Sequence, residues 1–407
     1  METGMNNSSN QTSASELSDT EELADYLYMS AHKSIRAKGQ LVKVSTPAFG
    51  EESERGRFQR VVSQAFDKAR ELGQENPILI GAIPFDLNQE SCLYVPSEYE
   101  FFDRDDLLKQ EEDSSSGYSN LIEMAKSIPD EITFKRGVKQ AIANFEHSDI
   151  QKAVLSRVYE VKTKEPVNTQ KVIKNLLSQN PAGYHFKIPL NESTDLIGAS
   201  PELLLRKEGM RVFSNPLAGS AKRMADKEID EQHAYDLKHS QKDNFEHKLV
   251  IDDVRNVLAP YCDTLDAPYE PELMSTSRMW HLSTQIKGEL KQADESVLTL
   301  ACQLHPTPAV CGYPTRLAKK LIDLVEPFER GLFTGMVGWC DAQGNGEWVV
   351  TIRCGTVSHN EVRLFAGAGI VEASSPDAEW LETQAKLATM MDAFGFHKTE
   401  VGGGEGL

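Results

Sequence analysis

Val349-Val-Thr-Ile-Arg353 and Val362-Arg-Leu-Phe365 are two apolar, β-branched runs joined by a short segment rich in glycine, serine and asparagine. Parallel neighbours need a crossover of a dozen or more residues, usually a helix, so two runs this close read as an antiparallel hairpin. Working outward, further β-branched runs occupy 153–161, 210–213, 347–353 and 362–370, clustered without a helix between each pair. Long segments at 53–72, 132–145, 229–258 and 376–394 instead carry apolar residues at helical spacing. The pattern predicts an α+β fold, with large antiparallel sheets covered by helices, rather than a doubly wound parallel sheet.

Charge narrows the function classes. The 407 residues include 43 Lys+Arg against 62 Asp+Glu, a net charge of −19. Acidic and basic residues are interleaved and no basic block tracks a phosphate backbone, which argues against a nucleic-acid partner and for a small soluble one. No apolar run approaches the roughly 20 residues needed to span a bilayer. The first residues lack the basic start and apolar centre of a secretion signal, so a cytoplasmic, non-membrane protein is expected. The six cysteines show no CxxC spacing and sit mostly in apolar stretches, as reduced thiols do.

Segments 1–18 and 398–407 lack side chains to pack and read as loose tails, and the polar stretch 110–120 reads as a loop. No linker divides what lies between, so 19–397 is expected to be a single domain, of two interleaved halves, acting as a monomer.

Candidate chemistry lies in the second half. Leu217-Ala-Gly-Ser-Ala221, Gly335-Met-Val-Gly338 and Phe365-Ala-Gly-Ala-Gly369 join glycines to strands. Such turns let backbone N–H groups approach an anion, but they also serve tight turns and bulges. Glu379, Glu382 and Lys386 share one face of a helix opening at Pro376, and Asp243 and Glu246 pair at i, i+3 on another segment. Oxygen ligands from two helices suit Mg²⁺. With 62 acids in the chain, however, such pairs also arise as solvated helix faces. Lys152 alternates with Ile150, Val154 and Val158 along a strand; desolvation there would favour the neutral amine of a general base, or the side chain could snorkel from the strand end. Glu202, after Gly198-Ala-Ser-Pro201, is either a buried general acid or a turn residue. His281 and His305 lack an HExxH partner, which argues against zinc. From the residues alone the reading stops at a Mg²⁺-using enzyme acting on a small anion.

Six stretches in one order carry the reading further. Lys152-Ala-Val-Leu-Ser-Arg157, Gly198-Ala-Ser-Pro-Glu202, Pro216-Leu-Ala-Gly-Ser220, His305-Pro-Thr-Pro-Ala309, Glu347-Trp-Val-Val-Thr-Ile-Arg353 and Leu364-Phe-Ala-Gly-Ala-Gly-Ile-Val371 with Ala373-Ser-Ser-Pro376 resemble the chorismate-utilising enzymes. Within that family the match is closest to isochorismate synthases of catecholate siderophore pathways. It is strong over 132–396 and loose over the first third.

The resemblance implies two similar halves, each an antiparallel sheet under helices, with a Mg²⁺-dependent site between them. Water would add at C2 of chorismate as the C4 hydroxyl leaves. Lys152 would be the base that activates water and Glu202 the acid that protonates the leaving hydroxyl. Glu246 and Glu382 match the direct metal ligands, with Asp243 and Glu379 as outer partners. Arg353 and Lys386 match positions that hold the enolpyruvyl carboxylate. Gly219, Ser220, Gly367 and Gly369 fit anion-cradling turns, while His281, Ala309, Val310, Phe333, Ile352 and Phe365 fit the pocket wall. Amine-using relatives carry Gln at the place of Lys152, so water is the implied nucleophile. Salicylate synthases typically carry Thr at the place of Ala309, so release of pyruvate is not implied. A downstream isochorismatase would draw the near-balanced reaction forward. Menaquinone supply, a salicylate synthase and a non-catalytic anion-binding scaffold stay open as alternatives. The chain departs from relatives at Gln241, usually Glu, and at Asn244-Phe245, usually Arg-His, which bears on the outer shell around Glu246.

Overall fold

The computed structural model describes residues 25–49, 56–104 and 118–396. The tails expected at 1–18 and 398–407, and 110–117 of the polar loop, lie outside the described residues.

Two large sheets face each other, and every strand pairing in them is antiparallel. The first is centred on Lys152–Thr163, a strand of twelve residues, paired with Glu361–Ile370 in continuous register from Ala153↔Ile370 to Lys162↔Glu361. From there the sheet continues through Cys354–Ser358, Thr194–Ser200 and Tyr184–Asn191 to the N-terminal strands Tyr26–Met29 and Ser34–Lys38. The second is centred on Leu203–Glu208, Gly346–Val350 and Met336–Asp341 and reaches Ile78–Ile83 on one side and Arg211–Asn215 on the other. A small third sheet joins Leu217–Lys222, Met279–Ser283 and Glu272–Ser275.

Between the large sheets lies a core that includes Phe186, Leu203, Val337, Trp339 and Phe365. On the outer face of the first sheet, helices Thr169–Gln179 and Pro376–Ala393 pack through Leu176, Leu387 and Met390. Helices Arg57–Glu71, Gln241–Leu258 and Val297–Leu304 cover the second through Phe66, Val250 and Leu300. Strand alternation separates the two tryptophans of the second sheet: fully buried Trp339 faces the other sheet, and fully buried Trp348 faces the helices. Truncating either to alanine should cost about 3–5 kcal/mol. Among the described residues no helix is long and apolar enough to cross a membrane.

Two details differ from the sequence expectation. The hairpin is built from Cys354–Ser358 and Glu361–Ile370, whereas Gly346–Val350 belongs to the other sheet. The β-branched run does not continue through Arg353, because the chain crosses between sheets at 351–353. The amphipathic stretch 229–258 is also two helices, Lys227–His239 and Gln241–Leu258. Ser240 breaks it: its backbone is extended and its hydroxyl accepts from the Asp243 N–H, a capping preference that outweighs helical continuity.

Candidate active site between the sheets

The site forms where the chain passes from one sheet to the other. Leaving the first sheet at Ser200, it enters the second at Leu203, so Pro201 and Glu202 bridge the gap. The return runs from Val350 to Cys354 through Thr351, Ile352 and Arg353. The crossings are tied together: Val350 N–H donates to Glu202 O at 3.1 Å and Ala199 N–H donates to Arg353 O at 2.9 Å. Arg353 takes φ +49° and neighbouring Thr334 takes φ +59°. For L residues this left-handed region costs about 1–2 kcal/mol each, so the surrounding bonds hold both in place. Thr334 N–H donates to Thr351 O at 2.8 Å, and Thr351 N–H donates to Gly335 O at 2.9 Å.

Around these crossings lies a cavity with about 630 Å³ of empty space, part of it open to solvent. Glu202 lines it, as do the expected cradle glycines Gly219, Gly367 and Gly369 and the hydroxyl residue Ser220. So do the wall residues His281, Ala309, Val310, Phe333, Ile352 and Phe365, the two cations Arg353 and Lys386, and the acids Glu246 and Glu382. The rings of Phe333 and Phe365 stack at 5.0 Å and make an apolar slab. Lys152, fully buried, sits behind the lining, its Nζ 2.9 Å from Glu246 Oε1. The apolar isolation expected of this amine is therefore replaced by an ion pair. Asp243 and Glu379 also lie outside the lining: Asp243 sits against Gly219, and Glu379 pairs with Lys242 at 2.7 Å.

Glycine is required at two of these positions. A Cβ on Gly219, at φ +79°, would come 2.9 Å from Asp243 Cβ. One on Gly369 would come 2.2 Å from Glu246 Oε1. The cradle is thus as much room for the acids as room for a ligand.

Burial pushes the Glu202 carboxyl from 4.5 up to about 7, opposed by the Leu217 N–H, which donates to it at 3.4 Å, and by the charges of Lys152, Arg353 and Lys386. Burial, reinforced by Glu382, likewise pushes Glu379 up to about 7, and burial raises Asp243. Burial acts on Glu382 too, but Lys386, 2.6 Å away, holds it below its ordinary value. Burial lowers Arg353 to about 10 and His281 well below its ordinary value. Arg353 Nη2 donates to His281 Nε2 at 3.4 Å, which requires that ring nitrogen to be unprotonated.

Several contributors were not singled out in the sequence. Pro201, Leu217 and Thr334 line the cavity, and Lys242 supplies the partner of Glu379. Arg330 is the most connected. Its Nε and Nη2 donate to Glu326 at 2.8 and 2.6 Å, Nη2 also to Val154 O at 2.8 Å, and Nη1 to Val310 O and Thr334 Oγ1 at 2.8 and 3.2 Å. All five donors of the guanidinium are used, three of them on cavity-lining residues. A signal for Lys242 existed: it stands one turn before Glu246 on the acidic helix.

The donor set fits a hard cation in kind. Asp243, Glu246, Glu379 and Glu382 are all carboxylates, and Glu379 Oε2 is buried without a hydrogen-bond partner among the described residues. They are not already gathered round one point: among the described residues no group of three or more His, Cys, Asp or Glu is placed to hold a metal. Lysines Lys152, Lys242 and Lys386 each hold one of the glutamates, so an ion would have to draw them off.

A family model described as chorismate binding enzyme matches residues 94–395. Isochorismate synthase EntC of Escherichia coli K12 is 42% identical over 372 residues, covering 91% of this chain and 95% of its own. Isochorismate synthase DhbC of Bacillus subtilis is 41% identical over 379 residues, covering 91% and 93%. The crystal structure of DhbC from Bacillus anthracis, assigned as a 2,3-dihydroxybenzoate-specific isochorismate synthase, superposes with a TM-score of 0.84 at 40% identity, over 93% of this chain and 98% of that one. The antiparallel sheets, the cavity at their crossings and these similarities agree: the chain belongs to the chorismate-binding enzyme family.

Proposed function

We infer that the chain is an isochorismate synthase, converting chorismate to isochorismate for a route to 2,3-dihydroxybenzoate and catecholate siderophores. The observation that carries the mechanism is the placement of a buried acid, Glu202, and the Lys152–Glu246 pair at one cavity. Released from Glu246 and in its neutral form, the Lys152 amine takes a proton from water as the water oxygen bonds to C2. Both ring double bonds shift, C1=C2 to C1=C6 and C5=C6 to C4=C5, the C4–O bond breaks with its electrons leaving on oxygen, and Glu202 gives that oxygen its proton. One water enters and one leaves, so substrate and product are isomers. A carboxyl pushed up to about 7 can hold a proton to donate near neutral pH.

Arg353 and Lys386 hold the enolpyruvyl carboxylate, Arg353 by its bidentate fork. Gly219, Ser220, Gly367 and Gly369 cradle the second carboxylate, and the Phe333–Phe365 slab receives the ring. Magnesium, held by Glu246 and Glu382 with Asp243 and Glu379 outside them, would clamp the ring carboxylate and offset the charge that develops as the hydroxyl departs. Support for this part is the all-carboxylate donor set and the orphaned Glu379 oxygen. We propose that the chain acts as a monomer, with 19–397 as one catalytic domain. We propose a cytoplasmic enzyme whose product is taken by an isochorismatase.

Oxygen-18 water tests the reaction. The product should carry one heavy oxygen, at C2; retention of the original C4 oxygen would contradict water addition.

A further inference from the structure

A second cavity, with about 840 Å³ of empty space, adjoins the first. Both are lined by Pro201 and Arg353, and other elements run from one to the other. The antiparallel pair that supplies His281 to the first cavity supplies Met274 and Ser275 to the second, and Met274 is the register partner of His281. The Pro376–Ala393 helix gives Lys386 to the first and, one turn on, Thr389 to the second. Among the described residues the lining of the second cavity contains no acidic residue, and its one cation is Arg353. Arg353 is 8% exposed, and its one side-chain hydrogen bond among the described residues is to His281. Most of its five donors are therefore left for a ligand at the junction.

We propose that the second cavity is the antechamber through which a small dicarboxylate reaches and leaves the reacting cavity, with Arg353 receiving the leading carboxylate at the junction. This rests on the chorismate reading above. Hydroxyls and amides along the passage can solvate an anion without trapping it, and the arginine at its inner end gives it a direction. A latch bounds the passage: the Ser277 N–H donates to Asn180 Oδ1 at 3.0 Å, tying the 275–278 turn to the loop that follows helix Thr169–Gln179. Arg278, at the end of that turn, pairs with Asp392 on the Pro376–Ala393 helix. Parting of the turn from Asn180 would widen the passage, and a crosslink there would hold it narrow.

The double variant Asn180→Cys/Ser277→Cys of the full chain tests this, assayed oxidised and after reduction, with the crosslink verified by mass and the oxidised parent as control for the native thiols. The crosslinked form should lose tenfold or more in kcat/KM and recover with dithiothreitol. Thr389→Trp, which fills the passage, should lower kcat/KM about tenfold, while the isosteric Thr389→Val should not. A crosslinked enzyme as active as its reduced form, or a Thr389→Trp enzyme as active as the parent, overturns the antechamber and leaves the isochorismate reading standing. If the parent binds chorismate without converting it, the functional reading falls separately. The antechamber is then judged by the chorismate association rate, which the crosslink should slow tenfold or more; an unchanged rate overturns it.

Discussion

Lys152 Nζ lies 2.9 Å from Glu246 Oε1, so the amine assigned to activate water is paired with a carboxylate assigned to hold the metal. A cation arriving at Glu246 competes with Lys152 for the same oxygen. Removing the lysine should therefore have opposite effects on chemistry and on metal binding.

Lys152→Gln should lower kcat by about 10²–10⁴, the usual contribution of a positioned general base. It should also tighten Mg²⁺ binding several-fold by calorimetry, because Glu246 loses its competitor. Weaker metal binding in the variant would contradict the competition.

Glu202 sets a pH limit. Its carboxyl must be protonated to act as the acid, and burial pushes it up to about 7. The kcat/KM profile should fall as pH rises through about 7, and Glu202→Gln should be nearly inactive throughout. Stability follows the same sign. A carboxyl raised from 4.5 to about 7 on folding favours the native state below 4.5, and that contribution is lost as pH climbs to about 7. Denaturant unfolding should show Glu202→Gln gaining on the parent across that window; a constant difference would refute the shift.

Arg330 spends all five donors on Glu326 and on the Val154, Val310 and Thr334 wall. Arg330→Met leaves Glu326 buried and unpaired, which should cost about 3–5 kcal/mol in urea unfolding. The Arg330→Met/Glu326→Leu double variant should lose less than the sum of the singles, since the two act as one unit. Additive losses would mean that the pair does not couple.

Removing Mg²⁺ with EDTA should abolish turnover and, if the carboxylate set binds the ion, lower the melting temperature. A ligand at 100 times its Kd adds about 2.7 kcal/mol to the folded state, a shift of several degrees. Glu246→Gln and Glu382→Gln should each erase the Mg²⁺-dependent part of the shift. A shift that survives both variants would place the ion elsewhere.

How much of this the sequence discloses depends on how local the signal is. Strands Lys152–Thr163 and Glu361–Ile370 follow from their runs of apolar and β-branched residues, and helix Pro376–Ala393 from the proline at its first position and the length of the segment. The crossing at 351–353 does not: Thr351 and Ile352 prolong a β-branched run, and only tertiary bonds turn Arg353 to positive φ. Ser240 divides one amphipathic stretch into two helices by a capping bond that the apolar period cannot reveal. From residue types alone the carboxylates could not be told from solvated helix faces; six motifs in order gave them candidate roles. Lys242 and Arg330 escaped because their meaning is a partner far along the chain, as with Lys242 and Glu379, 137 residues apart, or a set of carbonyls brought together by the fold.

The most direct measurement is chromatography of the products formed from chorismate and Mg²⁺ by the purified chain, with EDTA and ammonium arms. The account predicts isochorismate alone, abolished by EDTA and unchanged by ammonium. Salicylate with pyruvate, an ammonium-dependent amine, or no product from chorismate would contradict it.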